Sequence, residues 1–293
     1  IAIGVINIIT IPLISKLGNG SDQQGYLLVA ILYGIIFALC HIFCFAKTKE
    51  AVTVPEKKKI PIKLQIKTVA QNKPYLLALI GQFLFGVTLY GRNADALYYF
   101  KYVEGSETLF TTYSLVIIIP SIIGAGLFQI LFKLTENKGR TASILAFCTG
   151  VSMLSLYLFS PVESAVAFYI FSGLTQFFFA GFNTAIYAII PDCVEYGEWK
   201  TGIRNDGFQY AFISLGNKIG IGTSVLAAAL SCAGFEANIK QNEAVLSIMK
   251  HSFSTIPGVL WIITAVVLFF YRLNKKSYNK IVDEIKERKA ENV

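Results

Sequence analysis

Apolar residues run in blocks of about twenty along most of the chain, separated by short polar segments. A block of that length spans the roughly 30 Å hydrocarbon core of a bilayer at about 1.5 Å rise per helical residue. The pattern predicts helices over 25–46, 74–99, 111–132, 141–160, 165–190, 207–235 and 254–272. Residues 1–14 are apolar but too short to span, and no basic region precedes them. They read as the tail of a helix, so the sequence is expected to be an N-terminally truncated piece of a longer protein. Gly86, Gly91, Pro120, Gly124, Gly126, Gly173 and Gly181 lie inside the blocks, as glycine and proline often do in membrane helices.

Composition agrees with a multi-pass, all-α membrane protein. Hydrophobic residues make up 54% of the chain and charged residues 15%, against about a quarter charged in soluble domains. The net charge of +8 is topological in origin. Segments 47–73, 133–140, 191–206 and 272–293 hold 20 of the 26 Lys and Arg residues, and the alternate segments hold 4. That bias predicts that the first set, with the C-terminus, is cytoplasmic, and it excludes nucleic acid as the reason for the basicity. The expected setting is a bacterial-type plasma (inner) membrane, with lipid as a partner and a monomeric chain. The lysine-rich stretch 47–73 reads as a central linker between 1–46 and a six-helix block, 74–272. Residues 273–293 form an amphipathic tail that puts Ile281, Val282 and Ile285 on one side and pairs Glu284 with Arg288. A solvated helix near anionic headgroups is the expected role of that tail.

Two basic residues fall inside the blocks. Lys218 lies about 17 Å from the polar segment before its helix, near the bilayer midplane, where a cation costs about 3 kcal/mol on insertion scales. It is expected to line a central cavity, with Ser214 one turn earlier. Gly216, Gly220 and Gly222 on the same helix permit close packing. Arg92 sits near the outer end of 74–99 with Asp95 three residues on, close enough in register to pair. Arg92 either snorkels to the headgroups or faces a cavity. Tyr90, Tyr98 and Tyr99 around it form either an interfacial belt or a sugar-stacking surface. Asn183 and Gln176, deep in 165–190, either bridge helices or meet substrate.

No enzyme pattern is present. His41 and His251 belong to no HExxH motif, and neither GxSxG nor Walker A occurs. No catalytic residue, metal site or cofactor is expected. Cys40, Cys44, Cys148, Cys193 and Cys232 form no CxxC pair and read as small buried apolar residues.

The stretch PDCVEYGEWKTGIRNDG at 191–207, followed by a helix with a central lysine, resembles the loop and eleventh helix of the glycoside–pentoside–hexuronide:cation symporters, within the major facilitator superfamily. KLTENKGR at 133–140 resembles that superfamily's Gly-x-x-x-Asp-x-x-Gly-Arg loop, with Glu136 in the acidic place, and YGRNADALYYFKYVEG at 90–105 resembles the family's seventh helix. The resemblance implies a complete C-terminal six-helix bundle plus the last one or two helices of the N-terminal bundle, with a sugar or glycoside bound between the halves and moved with Na⁺ or H⁺. It places Lys218 near the sugar and cation, and Asn183 where melibiose permease has a tryptophan. It puts Asp192, Glu195, Arg204 and Asp206 in a cytoplasmic loop, either as ordinary loop residues or as a charge gate against the N-terminal half. The family's cation carboxylates lie on its second and fourth helices, outside this chain, so the piece alone is expected not to transport. A superfamily transporter of some other solute, and a non-transporting sensor on the same fold, are the alternatives.

Overall fold

The computed structural model describes residues 2–49, 60–222, 230, 232–236 and 239–291, apart from the side chains of 2–8, 11, 22, 90–91, 93–95, 107 and 220–222. Every regular element among them is a helix. Two compact units are present, residues 1–60 and 61–293.

In the first unit α1 (Ala2–Gly18) packs on α2 (Asp22–Lys47). Gly25 makes the approach possible, since a Cβ there would collide with the Ile14 carbonyl. The second unit contains α3 (Ile62–Gln71), α4 (Lys73–Tyr98), α5 (Glu107–Val116), α6 (Ile118–Thr135), α7 (Lys138–Ser155), α8 (Ala165–Thr201), α9 (Asp206–Gly222), α10 (Glu243–Lys250), α11 (Ile256–Phe269) and α12 (Lys275–Glu291). Here α7 packs between α8 and α11, α6 lies on α8, and α4 contacts α9 and α11. Large aromatic residues fill the centre, where Trp261 meets Phe85, Phe179 and Phe182 edge-on. Among the described residues, five stretches are long and apolar enough to cross a membrane: 23–47, 108–135, 138–158, 165–201 and 243–269.

Several boundaries differ from the sequence reading, each for a local reason. The helix expected over 165–190 runs on to Thr201 through Pro191. Proline removes only one intrahelical hydrogen bond, and neighbouring side chains can satisfy the freed backbone. The helix expected over 111–132 is broken at Ile117 between α5 and α6, where the Pro120 ring opposes the carbonyl one turn earlier. The last span starts at Glu243, well before 254, because α10 leads into α11 through a π turn at His251–Thr255. The polar residues of 243–252 hid it. Part of the linker is helical, as α3, with Thr68 and Val69 buried.

The tail is an amphipathic helix, as expected, with its polar face exposed and its apolar face packed on the bundle. Ile281 is buried, Tyr278 and Ile285 join the main core, and α12 packs on α8. The Glu284–Arg288 pair forms at 3.9 Å. All five cysteines are free, yet only Cys193 is buried, while Cys40, Cys44 and Cys232 are exposed. Lipid is as apolar as a protein interior, so a membrane helix gains nothing by turning its thiols inward.

Candidate functional site

Helices α4 and α9 build the intramembrane part of the site. The Tyr75 hydroxyl donates to the Gln209 carbonyl at 2.6 Å, and Leu79 reaches Gly216. At Gly86 a Cβ would lie 2.9 Å from the Asn217 carbonyl oxygen, so only glycine permits that contact. With Ile213 and Asn217 turned toward α4, the opposite side of α9 is outward. Gly207, Ala211, Ser214 and Lys218 recur there at helical spacing, and all four are exposed. Leu215 and Ile219, each 49% exposed, form an apolar stripe beside them. Lys218 has no carboxylate partner among the described residues. An exposed Ser and Lys one turn apart on an apolar helix are expensive against lipid and stable against water.

The other intramembrane residues divide. Asn183 and Gln176 are half-buried on α8, on the helix face that carries Phe179, which stacks on Phe85 of α4 at 5.7 Å. Among the described residues, neither Asn183 nor Gln176 has a side-chain hydrogen bond to another helix. Arg92 is buried beneath rings instead of reaching the headgroups. Its guanidinium lies 4.7 Å from the Phe253 ring centre and 5.5 Å from that of Tyr113, and Nε donates to the Phe253 carbonyl at 3.3 Å. Nη2 has no partner. Tyr99 is buried and stacks on Phe253 at 4.3 Å, so it serves neither a belt nor a sugar surface. Tyr98 is 40% exposed and stacks on Tyr102. The side chains of Asp95 and Tyr90 lie outside the described residues.

The sequence reading missed Gln82. It is 1% exposed, and neither amide atom has a partner among the described residues. It shares the α4 face that carries Leu79 and Gly86 toward α9. The Oδ1 of Asn217 is likewise buried and unpartnered. Unpaired buried amides are uncommon and cost on the order of 1–3 kcal/mol each. A glutamine in an otherwise apolar block was the available signal.

A family model described as MFS/sugar transport protein matches residues 1–275. The chain belongs to that family. It is an all-α member of the major facilitator superfamily, in its glycoside–pentoside–hexuronide symporter branch, and the family is one of transporters, not enzymes. An isoprimeverose transporter of Lactiplantibacillus pentosus is 28% identical over 297 residues, covering 98% of this chain and 61% of that protein. A glucuronide carrier protein homolog of Escherichia coli (strain K12) is 28% identical over 88% of this chain and 57% of its own length. A putative sulfoquinovose importer of Salmonella typhimurium is 27% identical over 94% and 59%. The chain thus spans about six-tenths of the length of these relatives.

The charged motif that carries the resemblance has a different shape from the one expected of this MFS chain. Asp192 and Glu195 are not in a loop. They stand on the last turns of α8 with Glu198, one carboxylate every three residues on one helix face. That spacing is a helix signal in the sequence itself. Lys138, at the start of α7, approaches Asp192 to 2.7 Å and also donates to the Ala188 carbonyl at 3.1 Å, close to Pro191. The Tyr278 hydroxyl donates to Glu195; burial first, then that bond, hold the phenol above its ordinary pKa. Glu198 takes Arg204 at 2.8 Å and Lys289 at 2.7 Å. Its hydrogen bond raises the Arg204 guanidinium above its usual value. Asp206, the first residue of α9, lies 3.6 Å from Arg204. The Trp199 indole donates to Glu284 at 2.5 Å, and Arg288 donates to the Trp199 carbonyl at 2.9 Å. The foot of α8 is thus tied to α7, α9 and α12.

Proposed function

We propose that the whole protein moves a sugar or glycoside across a bacterial plasma membrane, coupled to Na⁺ or H⁺, by alternating exposure of a central site. The observation that carries this reading is the exposed stripe with Ser214 and Lys218 on α9, without a carboxylate partner for Lys218 among the described residues. Lys218 would hydrogen-bond substrate hydroxyls and balance the cation-site carboxylates of the other half. Asn183, whose amide is uncommitted, would add a sugar contact. The relatives' names, isoprimeverose and glucuronide among them, support a sugar. The basic ends of the helices support a cytoplasmic C-terminus. Asp192, Glu195, Arg204 and Asp206, already held in a charge network, would form the cytoplasmic gate when the other half closes on them.

The test is uptake of labelled glycosides by cells carrying Lys218→Ala in the whole protein. Concentrative uptake is expected to fall about a hundredfold or more with insertion preserved. Normal accumulation would refute the role of Lys218. An anionic sugar is a second reading, favoured by the unpartnered Nη2 of Arg92. It predicts that Arg92→Gln weakens uptake of a hexuronide more than uptake of a neutral glycoside.

A further inference from the structure

The turn between α6 and α7 meets the segment between α11 and α12 at one end of the bundle, and together they line an open cavity of about 530 Å³. Three apolar stretches, 108–135, 138–158 and 243–269, begin or end there. The cavity therefore lies at the depth where the chain leaves the hydrocarbon. Phe269 and Phe270 line it and are 64% and 58% exposed, so an apolar flank adjoins it.

Its charge is uncompensated. Arg140, Arg272 and Lys276 line the cavity, and none has a carboxylate within 4.0 Å among the described residues. Glu136 lines it too and pairs with none of them.

Two helices start at the same place. Asn137 caps α7 by accepting from the Arg140 N–H at 3.0 Å, and Asn274 caps α12 by accepting from the Ser277 N–H at 2.8 Å. The Lys275 N–H donates to the Glu136 carbonyl at 2.8 Å and fixes the two starts together. Neither first turn contains an acidic residue. Both carry cations instead, set against the positive ends of their own helix dipoles. Unpaired cations beside two helix starts are stabilised by a bound anion.

We infer that this cavity binds the phosphodiester headgroup of an anionic glycerophospholipid, with Arg140, Arg272 and Lys276 around the phosphate and the acyl chains beside Phe269 and Phe270. A free phosphate would meet the cations alone. The position at the bilayer edge and the exposed phenylalanines favour the lipid.

Native mass spectrometry of the purified chain in neutral detergent tests this with phosphatidylglycerol as probe and phosphatidylcholine as control. One phosphatidylglycerol is expected to be retained where phosphatidylcholine is not. The triple variant Arg140→Gln, Arg272→Gln, Lys276→Gln is expected to weaken retention about tenfold or more, and Glu136→Gln to strengthen it about twofold or more. The second variant adds no cation and keeps the test informative if the triple variant unfolds. Equal retention of both lipids, or no change in Glu136→Gln, would overturn the site. Displacement of the lipid by millimolar inorganic phosphate or glycerol 3-phosphate would overturn the lipid assignment in favour of a soluble anion.

Discussion

The ammonium of Lys138 lies 2.7 Å from the carboxylate of Asp192, joining the first residue of α7 to the lower part of α8 across 54 residues of sequence. Asp192 is nearly enclosed, at 6% side-chain exposure, and Lys138 is 23% exposed. The pair sits just past Pro191, and Lys138 also donates to the Ala188 carbonyl, next to the Tyr187 carbonyl that the proline leaves without its helical donor. Sequence places a cation after Asn137 and an acid after Pro191. The fold turns them into one ion pair between α7 and α8.

Lys138→Ala is therefore expected to destabilise the chain by about 3 kcal/mol or more, because it leaves a buried carboxylate unpaired. Replacing both partners, as Lys138→Met with Asp192→Leu, should cost much less. Thermal unfolding in detergent checks this, and equal losses in the single and double variants would contradict it.

Gly124 and Gly126 lie two residues apart on α6 but differ in surroundings. A Cβ at Gly124 would strike the Phe177 carbonyl of α8, and one at Gly126 would meet nothing within 4 Å. Gly124→Ala is expected to lower stability by about 1–3 kcal/mol, since backbone cannot yield as a side chain can. Gly126→Ala should be neutral or stabilising by up to about 1 kcal/mol through helix propensity. The midpoints of the two unfolding curves should move in opposite directions or differ clearly.

Glu198 receives cations from two elements, Arg204 before α9 and Lys289 on α12. Both partners are partly exposed, at 42% and 63% of their side chains, which limits the contribution of the network to the order of 1–2 kcal/mol. Glu198→Gln should make the amides of α12 exchange about tenfold faster while those of α7 keep their protection. Hydrogen exchange read by peptide would show it.

The apolar helices near 25–46, 111–132, 141–160, 165–190 and 254–272 were legible because they rest on local signals, apolar length and basic flanks. What escaped depended on contacts between distant residues. The link from Trp199 to Glu284 spans 85 positions, and no local pattern announces it. The continuation of α8 past Pro191 was hidden because proline and charges together read as a loop. The recurrence of Asp192, Glu195 and Glu198 every three residues is the helix signal that the loop reading passed over. The tail read as solvated because its polar face dominates. Its three apolar residues suffice to seat it on α8 once Trp199 and Tyr278 complete the contact.

The central claim is that Ser214 and Lys218 face water within the membrane while Leu215 and Ile219 face lipid. Single cysteines at 214, 215, 218 and 219, in a whole protein freed of its native cysteines, would be treated with a membrane-impermeant cationic thiol reagent. Labelling at 214 and 218 but not at 215 and 219, with transported sugar slowing the reaction at 218, is the predicted result. No labelling at 214 and 218, or equal labelling at all four positions, would contradict it.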